Sequence, residues 1–159
     1  MNQSNLSKWL KAITIVVAVM GLVLIFWVVP EKAREAAERF PEFTSLFWPF
    51  LIYIWVVAIP AYLAIFQFWK VCCEIGKDNS FSMKNAKSMA LISKLAIVDT
   101  VLWFAGSLVF FLFDWLNAGF LVIFIFAIFA SVAVAIIAAA LSHLVEKASR
   151  IKEENDLTV

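Results

Sequence analysis

The 159-residue chain is 64% hydrophobic, 16% aromatic and only 16% charged, with a mean hydropathy of +0.94. That leaves too little polar surface to clothe a soluble domain of this length. A formal net charge of +1 gives no reason to expect direct contact with nucleic acid.

The apolar residues fall in long blocks, as the hydrocarbon core of a bilayer requires. The first span is expected from about Ala12 to Val29, with Lys8 and Lys11 before it and Pro30 after it. A basic start before an apolar stretch also describes a secretory leader. This stretch is long, however, and ends in Phe26-Trp27-Val28-Val29-Pro30 with no small-residue cleavage site, so a retained helix is expected. Residues 30–45 then read as an outer loop holding a short helix. Pro30 suits the first helical position, Glu31 favours the positive helix end, and Pro41 stops it. Glu35 and Arg39 are spaced for an i,i+4 pair. Ala33, Ala36, Ala37 and Phe40 form a weakly apolar face, read as one side of a solvated connecting helix, with a surface-lying sensor as the alternative.

The second span covers about Leu46 to Trp69. Trp48 and Trp69 bracket it roughly 31 Å apart at 1.5 Å per residue, which suits interfacial belt residues. Pro60 inside it removes a backbone hydrogen bond and predicts a kink, and Gln67 is a polar group near its end. Cys72 and Cys73 are the only cysteines, and neighbouring thiols do not readily bridge. They read as small residues packing at a helix end. A metal site with His143 lacks any ligand spacing motif, so no metal and no cofactor is expected.

In the inner loop, residues 70–94, Gly76-Lys77-Asp78-Asn79-Ser80 is a turn by composition. Ser82 can cap a helix that continues into the third span, about Leu95 to Phe113. Lys84, Lys87 and Lys94 fall on one side of that helix and suit anionic headgroups. Asp99 is the one acidic residue inside a span. It is a functional-site candidate by position, although pairing with a nearby lysine or a wet helix end accounts for it as well. Asp114-Trp115-Leu116-Asn117 makes an antiparallel hairpin with the fourth span, about Ala118 to Val145. That span carries Ala127, Ser131, Ala135 and Ala139 at intervals of four, a stripe for close helix approach within one bundle or across an oligomer. Beyond it, Leu141, Leu144, Val145, Ala148 and Ile151 keep helical spacing into a tail at 146–159, where Glu146 and Arg150 again suit an i,i+4 pair. The acidic end Glu153-Glu154-Asn155-Asp156-Leu157 is opposite in charge to the Lys84/Lys87/Lys94 stripe, so Lys84, Lys87, Lys94, Glu154, Asn155, Asp156 and Leu157 are grouped as a candidate interaction platform.

The segments assigned to one side of the membrane carry ten Lys and Arg against three on the other, which places both termini in the cytoplasm. The expected fold is therefore an all-α, four-helix membrane bundle, N-in and C-in, with short cytoplasmic helical extensions. No phosphate loop, H-E-x-x-H, G-x-S-x-G or acid/base carboxylate pair occurs, and an enzyme is not expected.

Three stretches carry a resemblance: Ala58-Ile59-Pro60 with Phe66-Gln67 and Lys70; Asn79-Ser80-Phe81-Ser82; and Ile151-Lys152 with Glu154-Asn155-Asp156-Leu157-Thr158-Val159. With the four spans, they resemble the small bacterial membrane proteins catalogued as domain of unknown function twenty-nine seventy-five. That family has no established activity. Its members are often encoded beside a small helix-turn-helix regulator, so the resemblance implies a membrane protein that tethers or senses for such a regulator. Two other readings stay open. One is an immunity protein that binds a membrane-active peptide near Trp27, Trp48 and Trp115, and the other is a small oligomeric transporter.

Overall fold

A chain inside hydrocarbon has no water to pair its backbone, so it closes its hydrogen bonds within helices. The structure, a computed structural model, describes residues 3–157, without the side chains of Glu42, Asp156 and Leu157. The described residues are all helix and turn, and four helical stretches are long and apolar enough to cross a membrane.

Helix α1 (Gln3–Val23) passes through a π-helical turn (Leu24–Val28) into α2 (Val29–Arg39), giving one 37-residue rod. Pro30, expected to mark the end of a span, is carried inside this rod. Its ring would press on the carbonyl of Phe26 in a regular helix, and the wider π turn lies over that residue. The chain breaks only at Phe40, whose backbone is extended (φ −130°, ψ 99°) before Pro41 opens a 3₁₀ turn, Pro41–Leu46. On α2, Glu35 pairs with Lys32 at 2.9 Å and Glu31 with Arg34 at 2.8 Å. These i,i+3 pairs take the place of the Glu35–Arg39 pair expected from spacing.

Helix α3 (Phe47–Gly76) runs through Pro60, which is buried. Helix α4 (Met83–Leu112) starts where Ser82 Oγ accepts from the Asn85 amide at 3.3 Å, and it continues into the membrane without a break. Both α3 and α4 end in the same way, with an aspartate in the left-handed region, Asp78 (φ 59°) and Asp114 (φ 57°). After α3 the amides of Asp78 and Asn79 bond back to the carbonyls of Ile75 and Glu74; after α4 those of Asp114 and Trp115 reach Phe111 and Phe110. This is the Schellman closure, and the Trp115 ring packs on Phe110 as its apolar contact. Helix α5 (Ala118–Leu157, 40 residues) begins with Asn117 Oδ1 accepting from the Phe120 amide.

The helices pack in the order α1, α3, α4, α5, and among described residues the backbones of α1 and α5 do not come together. The bundle is therefore open on one side. The start of α1, the end of α5 and the α3–α4 turn lie at one end, here the terminal end; α2, the 3₁₀ turn and the α4–α5 turn lie at the far end. Along α5, Ser131, Ala135, Ala138, Ser142 and Val145 are buried on the side that packs on α4, and Ser149, past the start of α4, is buried in line with them. Their 4-3-4-3-4 spacing is the 3.5-residue seam of a left-handed helix pair. The stripe predicted at intervals of four drifts off it: Ser131 and Ala135 belong to the seam, but Ala139 is exposed.

Two tyrosines bind α3 to its neighbours. Tyr62 Oη donates to the Ala18 carbonyl of α1 at 2.7 Å, and Tyr53 Oη to the Leu102 carbonyl of α4 at 3.1 Å. Each phenol lies over a glycine, Gly21 and Gly106, where a Cβ would collide with the Tyr oxygen.

Candidate functional site

The terminal end is built around a residue that sequence reasoning passed over. Glu74 sits five positions beyond Trp69 on the last turn of α3, with its side chain only 8% exposed. Lys84 Nζ donates to it at 2.8 Å, Asn79 Nδ2 at 3.1 Å and Lys77 Nζ at 3.4 Å. These donors, Lys84 first, hold its carboxyl far below the usual range, at about 2. Asn85, 1% exposed, donates Nδ2 to the carbonyls of Ser80 (3.0 Å) and Asn79 (3.4 Å). Ser80 Oγ reaches Gln3 Oε1 at 3.1 Å, and Ser7 Oγ donates to the Cys72 carbonyl at 2.7 Å. The Asn79-Ser80-Phe81-Ser82 stretch is thus mostly architecture, closing the α3–α4 turn and pinning α1 to it. Phe81 is the exception, 60% exposed.

The predicted lysine stripe divides. Lys84 is engaged by Glu74 in the same turn, while Lys87 and Lys94 are exposed. Lys70 Nζ lies over the Phe66 ring at 4.6 Å and Lys11 Nζ over Trp69 at 5.7 Å, as cations and aromatics meet at a membrane interface. Arg150 and Glu146 form the expected pair at 2.8 Å. Glu154 and Asn155 lie on the exposed final turns of α5; the side chains of Asp156 and Leu157, and all of Thr158 and Val159, are outside the described residues.

Within the spans, Asp99 is half-buried on α4, its Oδ1 inaccessible and without a hydrogen-bond partner. Gln67 is half-buried on α3, and Pro60 is in the helix interior. Cys72 is buried, Cys73 half-buried and His143 exposed, and no group of three or more His, Cys, Asp or Glu side chains comes together among the described residues. Thr100 Oγ1 bonds Ser131 Oγ at 2.9 Å, Ser93 Oγ the Ala135 carbonyl at 2.8 Å and Ser142 Oγ the Ala86 carbonyl at 2.8 Å. Thr14 Oγ1 and Ser107 Oγ donate to carbonyls of their own helices, those of Leu10 and Phe104.

The far end is constructed differently. Phe110, 8% exposed, meets the rings of Phe50, Trp115, Phe120 and Phe124 at 5.1–6.2 Å. Rings packed edge to face leave gaps, and two cavities follow. One of about 280 Å³ lies between α3 and α4 beside Tyr53 and Gly106. The other, about 410 Å³, is walled by Ala33 and Ala36 of α2, Phe50, Phe110 and Phe120, with Lys32 and Asn117 as its polar residues. Helices α2 and α5 line it from opposite sides without backbone contact. Ala33, Ala36 and Phe40, three of the four residues read from the sequence as a weakly apolar face, are among its walls; nothing in the sequence pointed to the rest.

No solved structure matches the chain. The uncharacterized membrane protein YoaS of Bacillus subtilis (strain 168) is 35% identical over 153 residues, covering 95% of this chain and 96% of that one. The family model described as protein of unknown function (DUF2975) matches residues 31–159. The chain belongs to the DUF2975 family.

Proposed function

We propose that this is a non-enzymatic regulatory or interaction protein of the bacterial cytoplasmic membrane, with both termini in the cytoplasm and a soluble partner held at the terminal end. The charge asymmetry of the loops supports the orientation. The observation that carries the reading is the length of α5. Ser142 bonds Ala86 and Ser93 bonds Ala135, so Val145 is level with the start of α4 at Met83. Residues 146–157 therefore extend beyond α4 by roughly 18 Å of helix. Spanning a bilayer needs none of this. Ile151 (50% exposed) lies on the extension, in line with Leu144 (62%) at the end of the span, and Phe81 stands exposed on the neighbouring turn. Apolar groups presented among charges at a membrane surface suit a protein partner. The family's association with helix-turn-helix regulators makes a small DNA-binding protein the favoured one.

In-cell crosslinking and pull-down compares the full chain with one ending at Arg150. Capture of a small DNA-binding protein by the full chain alone is the expected result. Capture of the same proteins by both chains, or of none by either, removes the proposed role of the extension.

A further inference from the structure

An apolar cavity of about 410 Å³ falls in the size range of ligand sites. Left empty, it forfeits dispersion contacts along all its walls. Water is a poor filler, because only Lys32 and Asn117 offer it hydrogen bonds. The occupant therefore presents hydrocarbon to the walls and polar atoms to those two residues.

The position narrows its identity. Val28 and Phe47 line the cavity, and their chain neighbours Trp27 (72% exposed) and Trp48 (64%) have the exposure and placement of interfacial belt residues. The cavity thus begins at headgroup level in the far leaflet, and the gap between α2 and α5 opens it sideways to lipid. Lys32 carries its ammonium on a side chain 68% exposed. Asn117 uses Oδ1 to cap α5, which leaves its Nδ2 as a donor. Two donors above a hydrocarbon slot match the chemistry of a phosphate ester over an acyl chain.

We propose that the cavity binds one acyl chain of a far-leaflet phospholipid, entering between α2 and α5, with the headgroup phosphate on Lys32 Nζ and Asn117 Nδ2. Lys32 exchanges its Glu35 partner for the phosphate, so anionic headgroups are favoured over zwitterionic ones. The site does not depend on the partner proposed at the terminal end.

The test is native mass spectrometry of the full chain released from detergent after incubation with phosphatidylglycerol and phosphatidylcholine in equal amounts. The expected result is one tightly retained phospholipid per chain, with phosphatidylglycerol preferred. Ala33→Phe with Ala36→Phe fills the slot and is expected to lower retention at least tenfold. Lys32→Gln alters an exposed side chain, leaves the fold intact, and should abolish the headgroup preference, a change of up to about tenfold. Circular dichroism and gel filtration establish that each variant is folded. If the filled variant misfolds, the Lys32→Gln comparison decides alone. Unchanged preference in Lys32→Gln, equal retention in the folded filled variant, no retention by the wild-type chain, or a retained mass that proves to be a peptide would each overturn the proposal.

Discussion

The two ends of this bundle are held by different physics. At the terminal end, side chains bond across helices at fixed distances: Ser7 to Cys72, Gln3 to Ser80, Lys84 to Glu74, Ser142 to Ala86. Each bond admits one geometry, so α1, α3, α4 and α5 are set in register there. At the far end, beyond the tyrosine contacts, ring packing replaces those bonds, and two cavities lie beside Phe110. Ring contacts tolerate a range of separations and angles. A bundle stitched at one end and padded at the other can admit an apolar guest at the padded end without unfastening the rest.

The largest effect that breaks this contrast is expected at Phe110. Helices separated within a bilayer still face lipid, so the water-transfer part of the usual cost is small and the cavity part remains. Phe110→Ala is therefore expected to cost about 2–3 kcal/mol, at or just below the low end of about 3–5 kcal/mol for such substitutions in soluble cores. Reversible unfolding in bicelles, followed by steric trapping at the α4–α5 pair, measures it. A loss below about 0.5 kcal/mol, the size of an ordinary surface change, would mean that the far end is not held through this ring.

Which parts of this division were legible in the sequence follows from how local each cause is. The four spans, the Ser82 cap and the Glu146–Arg150 pair depend on neighbours within one helix, and they came out as read. Pro30 suits a helix start, and α2 does begin at Val29–Pro30, but no break separates it from α1. The π turn that carries the helix past Pro30 has no composition of its own. Ala138 and Ala139 are equally small, so spacing alone did not decide which faces α4; the 3.5-residue seam does. Glu74 escaped notice because Lys84 lies ten positions away, across a turn closed by Asp78 in the left-handed region. Of the cavity only the Ala33/Ala36/Phe40 wall is legible, as an apolar helix face, since the rest arises from how rings on three helices fail to fill a common volume.

A smaller effect sharpens the terminal half of the contrast. The Glu74 carboxyl lies near 2 in the folded chain, against an ordinary value of 4.5. A carboxylate with a depressed folded value stabilises the fold above its unfolded value, and this is lost as pH falls through the folded one. Wild-type stability should therefore be steady from pH 7 to about 5, then decline toward pH 2. Glu74→Gln keeps the shape, removes the charge, and should be less stable at pH 7 and flatter between pH 4.5 and pH 2. Other acids titrate in both proteins, so the difference between the two curves isolates Glu74. Parallel curves would show that its hydrogen bonds form without coupling to the fold.

The smallest predicted effect concerns the seam. Ser93 and Ser142 each donate to a backbone carbonyl on the facing helix, at 2.8 Å in both cases. Hydrogen bonds between helices in a membrane average about 0.6 kcal/mol, because side chains in the separated state also find partners. Ser93→Ala and Ser142→Ala should each cost about that much, and the double variant about 1.2 kcal/mol, since the two sites share no partner. Either single change falls well short of Phe110→Ala. The terminal end would then draw its rigidity from many weak bonds of fixed geometry and the far end from one strong hub of loose geometry. A Ser142→Ala cost above about 1.7 kcal/mol would exceed the known range for such bonds and would mark Ser142 as a hub in its own right.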